Sequence, residues 1–212
     1  MTRPKHITIA PADANLVEFA SNVTGAIFTL TNTATSDGLA HQVSIKNDSA
    51  TDHSGKTVTL VGTDSDNKAI SEVVTGPAGS ATVESTLYFK TVTSATPSAT
   101  IGADTFDIGM VDEVISQSIP LDHYNSNVAL NIVISGTIDC TVQQTLDKIQ
   151  ATIVPVAGVE AFTWLNHDDA NLVGITTSVN GNYDYTPTAG RIKINSYSSG
   201  GSVAFNILQA RS

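Results

Sequence analysis

A single cysteine, Cys140, stands in a chain of 212 residues. No intramolecular disulfide can form and no thiolate metal cluster can be built, so the fold must rest on its apolar core. Cations are scarce too: ten Lys and Arg against twenty Asp and Glu, a formal net charge of −10. Neutralising a polyphosphate needs clustered Lys and Arg, so direct binding to nucleic acid is not expected. No uninterrupted apolar run approaches the ~20 residues of a membrane span. The basic start, Met1-Thr2-Arg3-Pro4-Lys5-His6, lacks the apolar stretch of a secretion signal, so neither membrane insertion nor export is expected. No long amphipathic helix is visible in the first half.

What is present is alternation. Hydrophobic residues make up 41% and charged residues only 14%, a balance that argues against disorder and suits antiparallel sheets with Ser- and Thr-rich outer faces. The organising stretch runs from Lys56 to Thr93, KTVTLVGTDSDNKAISEVVTGPAGSATVESTLYFKTVT. Val58 and Leu60 fall on one face while Thr57 and Thr59 fall on the other, the period of a half-buried strand. A polar turn, Gly62 to Asn67, leads to a second strand. A Gly-Pro loop then leads to a longer third strand with Val83, Leu87 and Phe89 on one side. Together these predict a β-meander.

Earlier segments predict short strands at His6 to Ile9, Ala26 to Asn32 (Phe28 and Leu30 inward) and His41 to Asn47 (Val43 and Ile45 inward), with a loop or single helical turn at Pro11 to Asn15. Thr105 to Ile108 reads as the last strand of a first unit, and Met110 to Glu113 as an acidic boundary without a flexible linker. In the second half, Val128, Leu130, Ile132 and Ile134 alternate with polar or small residues. After Ser135-Gly136, so do Ile138, Cys140, Val142, Gln144 and Leu146. Two such runs with so short a link predict a tight hairpin. A further strand is expected at Ile149 to Val156. Ser198-Ser199-Gly200-Gly201 predicts another hairpin between strands at Arg191 to Tyr197 and Ser202 to Gln209. The reading is all-β: antiparallel sandwich or jelly-roll-like units in two closely packed halves, 1–110 (with a basic arm at 1–6) and 111–212. No residue-level repeat relates the halves.

The order VTLVGTD, AISEVVTGP, STLYFKTVTS within the organising stretch, joined by IPLDHY at Ile119 to Tyr124 and by the closing Ile207-Leu208-Gln209, resembles a pattern seen in virion proteins of tailed bacteriophages. The likeness covers about forty residues well and the rest loosely, and none of its motifs is catalytic. It implies a non-enzymatic virion structural protein made in the host cytoplasm. More specifically, it implies a capsid decoration or cement protein that binds the major capsid protein, or another virion protein, as a symmetric homo-oligomer, often a trimer. A connector, tail or fibre-anchoring subunit is the alternative within virions, and a carbohydrate-binding module is the alternative outside them.

Candidate sites were weighed against plainer roles. Asp64-Ser65-Asp66-Asn67 gathers oxygen donors for a hard cation but lacks EF-hand spacing, so a structural turn is expected. His167-Asp168-Asp169 is the best local cluster for a transition metal, yet it has no second His or Cys partner. Cys140 reads as a small buried hydrophobe. Gly79-Ser80 is half a nucleophile elbow, and Gly200-Gly201 opens a strand where a phosphate loop would open a helix. Neither a cofactor nor a metal is expected. Trp164, Tyr183 and Tyr185, with Tyr197 nearby in sequence, can serve as core, as a partner contact or as a sugar platform. Arg3 and Lys5 can form a basic docking arm against an acidic body.

Overall fold

The computed structural model describes residues 4–122, 128–149 and 162–209. In chain order its elements are β1 (Lys5–Ile9), β2 (Asn15–Val23), β3 (Ala40–Asn47), β4 (Thr57–Thr63), β5 (Ala69–Thr75), β6 (Thr82–Phe89), β7 (Thr91–Pro97) and β8 (Phe106–Ile115). Then come β9 (Ile119–Pro120), β10 (Val128–Ser135), β11 (Ile138–Thr145), β12 (Leu165–Asn166), a 3₁₀ turn at Ala170–Leu172, β13 (Val179–Tyr183), β14 (Ala189–Tyr197) and β15 (Ser202–Gln209). Among the described residues there is no α-helix, so no helix long and apolar enough to cross a membrane. The protein is an all-β sandwich fold of antiparallel sheets.

The strands form two compact units. A middle unit holds residues 13–112, and a terminal unit holds 4–12, 113–149 and 162–209. The chain passes from one to the other within β8. The strand expected at His6 to Ile9 is β1, which begins one residue earlier at Lys5, within the expected basic arm, and pairs antiparallel with β15, Lys5 opposite Ile207 and Ile9 opposite Val203. Arg3 lies outside the described residues, as do His123 and Tyr124 and the part of the expected strand beyond Ile149.

In the middle unit one sheet has the order β5–β4–β7, and the other comprises β8, β3 and β6 with β2 on β8. Val58, Leu60, Ile70 and Val92 from the first meet Val43, Ile45, Phe89 and Ile108 from the second, all buried. Burying each such side chain contributes on the order of 1.5–3 kcal/mol. β4 and β5 form the expected hairpin, Thr57 opposite Thr75 through Thr63 opposite Ala69. The meander stops there. β6 pairs with β3 in the other sheet, and the supposed long third strand is two strands broken at Lys90. The break is fixed by Lys90 itself, whose N–H donates to Thr63 O at 2.8 Å while its carbonyl accepts from Thr35 N at 3.1 Å. Glu72 holds the crossing. From β5 its buried carboxylate accepts the N–H groups of Thr86 (2.7 Å) and Leu87 (2.8 Å), where β6 bulges away from regular pairing. Gly62 is required where β4 shifts register against β7, because a Cβ there would lie 1.8 Å from Thr91 O. The strand expected at Ala26 to Asn32 is irregular, although Phe28 is buried edge-on to Phe106 with centroids 5.8 Å apart. The strand in this region is β2, whose pairing with β8 shifts register twice and whose Asn22 has φ of 53°. Those bulges erase the alternation by which a strand is read.

The terminal unit packs the sheet β1–β15–β10–β13 against β12–β11–β14, with β9 and the last residues of β8 on the far edge of β14. Leu130, Ile132, Phe205 and Ile207 face Val142, Ile192 and Ile194 in its core. Cys140 is buried there, its thiol pushed up to about 12 by burial, as expected of an inert small hydrophobe. Both hairpins expected in this unit are absent. β10 pairs with β15 and β11 pairs with β14, so the links after Ser135 and after Tyr197 cross from one sheet to the other. The two links lie side by side. Gly136 takes a φ of 77°, which side chains disfavour, a Cβ there would crowd Gly201 at 3.1 Å, and Ser198 N donates to Thr137 O at 3.0 Å.

Candidate functional site

Trp164, Tyr185 and Tyr183 have different surroundings in the terminal unit. Trp164 is half-buried under Arg191, whose guanidinium carbon lies 4.2 Å from the ring centroid. This contact clamps the segment before β12 onto β14. Arg191 is itself buried, and its Nε donates to Gln143 Oε1 at 2.9 Å, while Gln143 Nε2 donates to Asn166 Oδ1 at 3.2 Å. Tyr185 is 43% exposed, and its hydroxyl accepts from Gln144 Nε2 at 2.6 Å and donates to Asp168 Oδ2 at 3.0 Å. With Leu146 and Leu165 it lines a cavity of about 220 Å³. Tyr183 does not join them. It is only 3% exposed, stacked on His167 with centroids 4.7 Å apart, so it has no face to offer a partner or a sugar. The reason is position: Tyr183 ends β13 on the inward side, opposite Val128.

The cluster at His167-Asp168-Asp169 is a local lock. His167 Nδ1 accepts from Asp169 N at 3.0 Å, and Asp169 Oδ1 caps the 3₁₀ turn by accepting from Asn171 N at 2.9 Å. With Nδ1 accepting, the neutral ring carries its proton on Nε2. That atom is buried and meets no partner in hydrogen-bond geometry, the Asn182 backbone being near but poorly placed. Burial pushes the imidazole below its ordinary value, against the opposing influence of the Asp169 and Asp168 carboxylates. Gln144 Oε1 and Tyr183 Oη, also in the terminal unit, are likewise buried without partners.

In the middle unit, Asp64 is committed to its own turn. Its Oδ1 accepts from Asp66 N (2.9 Å) and Lys68 N (2.8 Å), and Asn67 takes a φ of 60°. Burial raises its carboxyl above the ordinary value. Ser80, at φ 54°, donates its N–H to Ser49 O at 2.7 Å and lies in a turn where the half-elbow pattern would need a strand-to-helix junction. Two buried histidines are used structurally. His41 bonds Asp37 Oδ2 (2.8 Å) and Val111 O (2.7 Å), and His53 bonds Asp104 Oδ2 (2.9 Å) while Lys56 Nζ approaches its other nitrogen at 3.0 Å.

The most ordered polar surface is one the sequence did not announce. Across the outer face of β1–β15–β10–β13, register places His6, Asn206, Asn131 and Asn180 in one row. His6 Nδ1 contacts Asn206 Oδ1 at 2.6 Å, Asn206 Nδ2 donates to Asn131 Oδ1 at 2.9 Å, and Asn131 Nδ2 donates to Asn180 Oδ1 at 2.8 Å. Since Asn206 Oδ1 accepts, His6 Nδ1 is the donor, and all three bonds run in one direction. A groove of about 250 Å³ lies along this row, bordered also by Pro4, Ala129 and Leu208. Lys5 sits on the same edge strand but turns its ammonium to Pro120 O. Alternation in β10 and β15 marks these asparagines as outward. Only strand order shows that they are neighbours.

No protein-family model matches the sequence, and no curated protein matches it. Among solved structures, one similarity is to the major capsid protein P2 of bacteriophage PM2, with a TM-score of 0.21 and 9% identity over 98% of each chain. A TM-score at that level means that the two folds do not superpose, and no property of that protein is carried over.

Proposed function

We propose that this chain is a non-enzymatic structural protein of a tailed-phage virion, acting as a decoration or cement subunit on the capsid lattice. The observation that carries the reading is the resemblance of VTLVGTD, AISEVVTGP and STLYFKTVTS to phage virion proteins. Those residues make β4, β5, most of β6 and the first half of β7, the hairpin and the strands around it on which the middle unit is built. A disulfide-free β fold with a net charge of −10 is compatible with a protein that faces solvent in an assembly. In this reading the partner is the major capsid protein, the assembly is a symmetric homo-oligomer such as a trimer, and neither nucleic acid nor membrane is contacted. Modest contacts repeated over a lattice give tight attachment overall.

Copy number tests the proposal. Quantitative mass spectrometry of particles from the source is expected to give hundreds of copies in simple ratio to the shell protein, as lattice symmetry requires. About a dozen copies would move the protein to a vertex, as connector or tail hardware, and its absence from particles would end the virion reading.

A further inference from the structure

We propose that the asparagine row on the terminal unit's four-stranded sheet is a binding site for a neutral polysaccharide. The inference goes beyond the virion reading and does not depend on it.

The chemistry begins with what the row leaves unused. A carboxamide has two N–H donors and an oxygen with two lone pairs. The bonds between Asn206, Asn131 and Asn180 use one donor and one acceptor position at each interior residue. A second acceptor position therefore remains on both Asn206 and Asn131, and a second donor on Asn131, while Asn206 Nδ2 also reaches Asn131 O at 3.5 Å. Because the bonds run in one direction, each polarises the next, which strengthens the remaining positions toward an incoming hydroxyl. Hydroxyls both donate and accept, so a sugar matches this mixed array better than a carboxylate or an ammonium does.

Spacing and surroundings narrow the ligand further. Adjacent strands lie about 4.8 Å apart, so the row offers the same amide at regular steps over roughly 10 Å across three strands, with His6 one step beyond. A chain of repeating hydroxylated rings presents its own groups at regular steps. Ala129, Leu208 and Pro4 border the groove beside the amides and supply the apolar surface against which the C–H face of a ring can lie. At about 250 Å³ the groove is somewhat below the ~300 Å³ at which drug-sized sites begin, so it takes a ring at a time from a longer chain.

Charge selects against the competitors. The strands of this sheet contain one charged side chain, Lys5, and its ammonium is turned to Pro120 O. An anionic ligand finds no Lys or Arg in the row, and a basic one finds no carboxylate. A protein partner is disfavoured by layout, because protein interfaces place an apolar core inside a polar rim. Here the amides run along the middle, with Ala129 and Leu208 on one side and Val133 and Ala204 on the other. The amides are also already held in place by one another, which lowers the ordering cost of binding.

The test is affinity electrophoresis of the full chain through gels containing, one at a time, a soluble β-glucan, a mannan and a galactan, with heparin as an anionic control. Retardation by at least one neutral polysaccharide is expected, with no retardation by heparin and little change on raising salt. Asn131→Ala and Asn206→Ala are each expected to weaken that binding about tenfold, as loss of ~1.4 kcal/mol implies. Asn180→Ala, at the exposed end of the row, provides a variant whose folding is least at risk and is expected to weaken binding less. Trp164→Phe is expected to leave it unchanged. The proposal is overturned if none of the three polysaccharides retards the protein, if binding survives all three asparagine substitutions, or if Trp164→Phe abolishes it. Copy number in particles is a separate measurement, so failure here leaves the virion reading where it stood.

Discussion

Two sheet faces of this protein carry almost no charge, and they treat their polar side chains in opposite ways. On β5–β4–β7 of the middle unit several outward hydroxyls bond within their own sheet. Ser71 donates to Leu60 O (3.0 Å), Thr93 to Val61 O (3.1 Å), and Thr63 meets Thr91 at 2.7 Å. Between them lies apolar surface, with Val73 55% exposed. On β1–β15–β10–β13 of the terminal unit the outward groups are amides that bond one another and retain capacity for more. Absence of charge alone therefore does not define a surface. The side chain's remaining hydrogen-bonding capacity does.

The contrast can be broken most forcefully at Glu72. Glu72→Ala leaves two N–H groups of β6 without their acceptor, that of Leu87 buried and that of Thr86 partly so, and an unsatisfied buried donor costs about 1–3 kcal/mol. Urea denaturation is expected to show a loss of roughly 3 kcal/mol, and amide exchange is expected to locate the loss in the middle unit. A midpoint unchanged from wild type would mean that the carboxylate does not hold the crossing.

Acid should act first on the terminal unit. Burial holds His167 below its ordinary value, so the fold favours the neutral ring. Its contribution is complete above the unfolded value of ~6.5 and is lost as pH falls from there toward the depressed folded value. Thermal stability followed through Trp164, the single tryptophan, should therefore weaken as pH falls below about 6.5, and His167→Gln should flatten that slope. Asp104 in the middle unit, held low first of all by its hydrogen bond from His53, contributes stability that is lost only below ~3.9.

The smallest effects on stability are expected on the faces themselves. Asn131→Ala should cost about 0.5–1 kcal/mol and Thr93→Val less than ~0.5 kcal/mol, measured by the same denaturation. If Thr93→Val proved the costlier of the two, the contrast between the faces would be reversed.

Much of this architecture was legible as faces and little of it as neighbours. Val58, Leu60, Val43, Ile45, Leu130, Ile132 and Cys140 are inward, as their alternation requires. Alternation is the same, however, whether the next strand lies beside its predecessor or across the core from it. A link as short as Gly136-Thr137 serves either case, which is why two crossings read as hairpins. β2 is not legible because bulges remove its period, and the strand at His6 to Ile9 is legible while its partner β15 is not, since pairing across two hundred residues leaves no local trace. Of the candidate site, Trp164 and Tyr185 were legible as aromatics. The asparagine row was not, since it exists only through the order β1–β15–β10–β13.

The paired links at Gly136-Thr137 and Ser198 to Gly201 have one more consequence. Ser135 lies opposite Ser202 on one side of the bend, and Ile138 lies opposite Tyr197 on the other. β10 with β11 and β14 with β15 thus form a single antiparallel ribbon folded over at its glycines, and the two central pairings of the terminal unit are one pairing seen twice. Closing the intervening loop once allows both sheets to zip from the same nucleus, and their registers are set together. A slip in one would be transmitted around the bend to the other, so the alignment that brings Asn131 to Asn206 is guarded by the packing of Ile192 on Val142 in the opposite sheet.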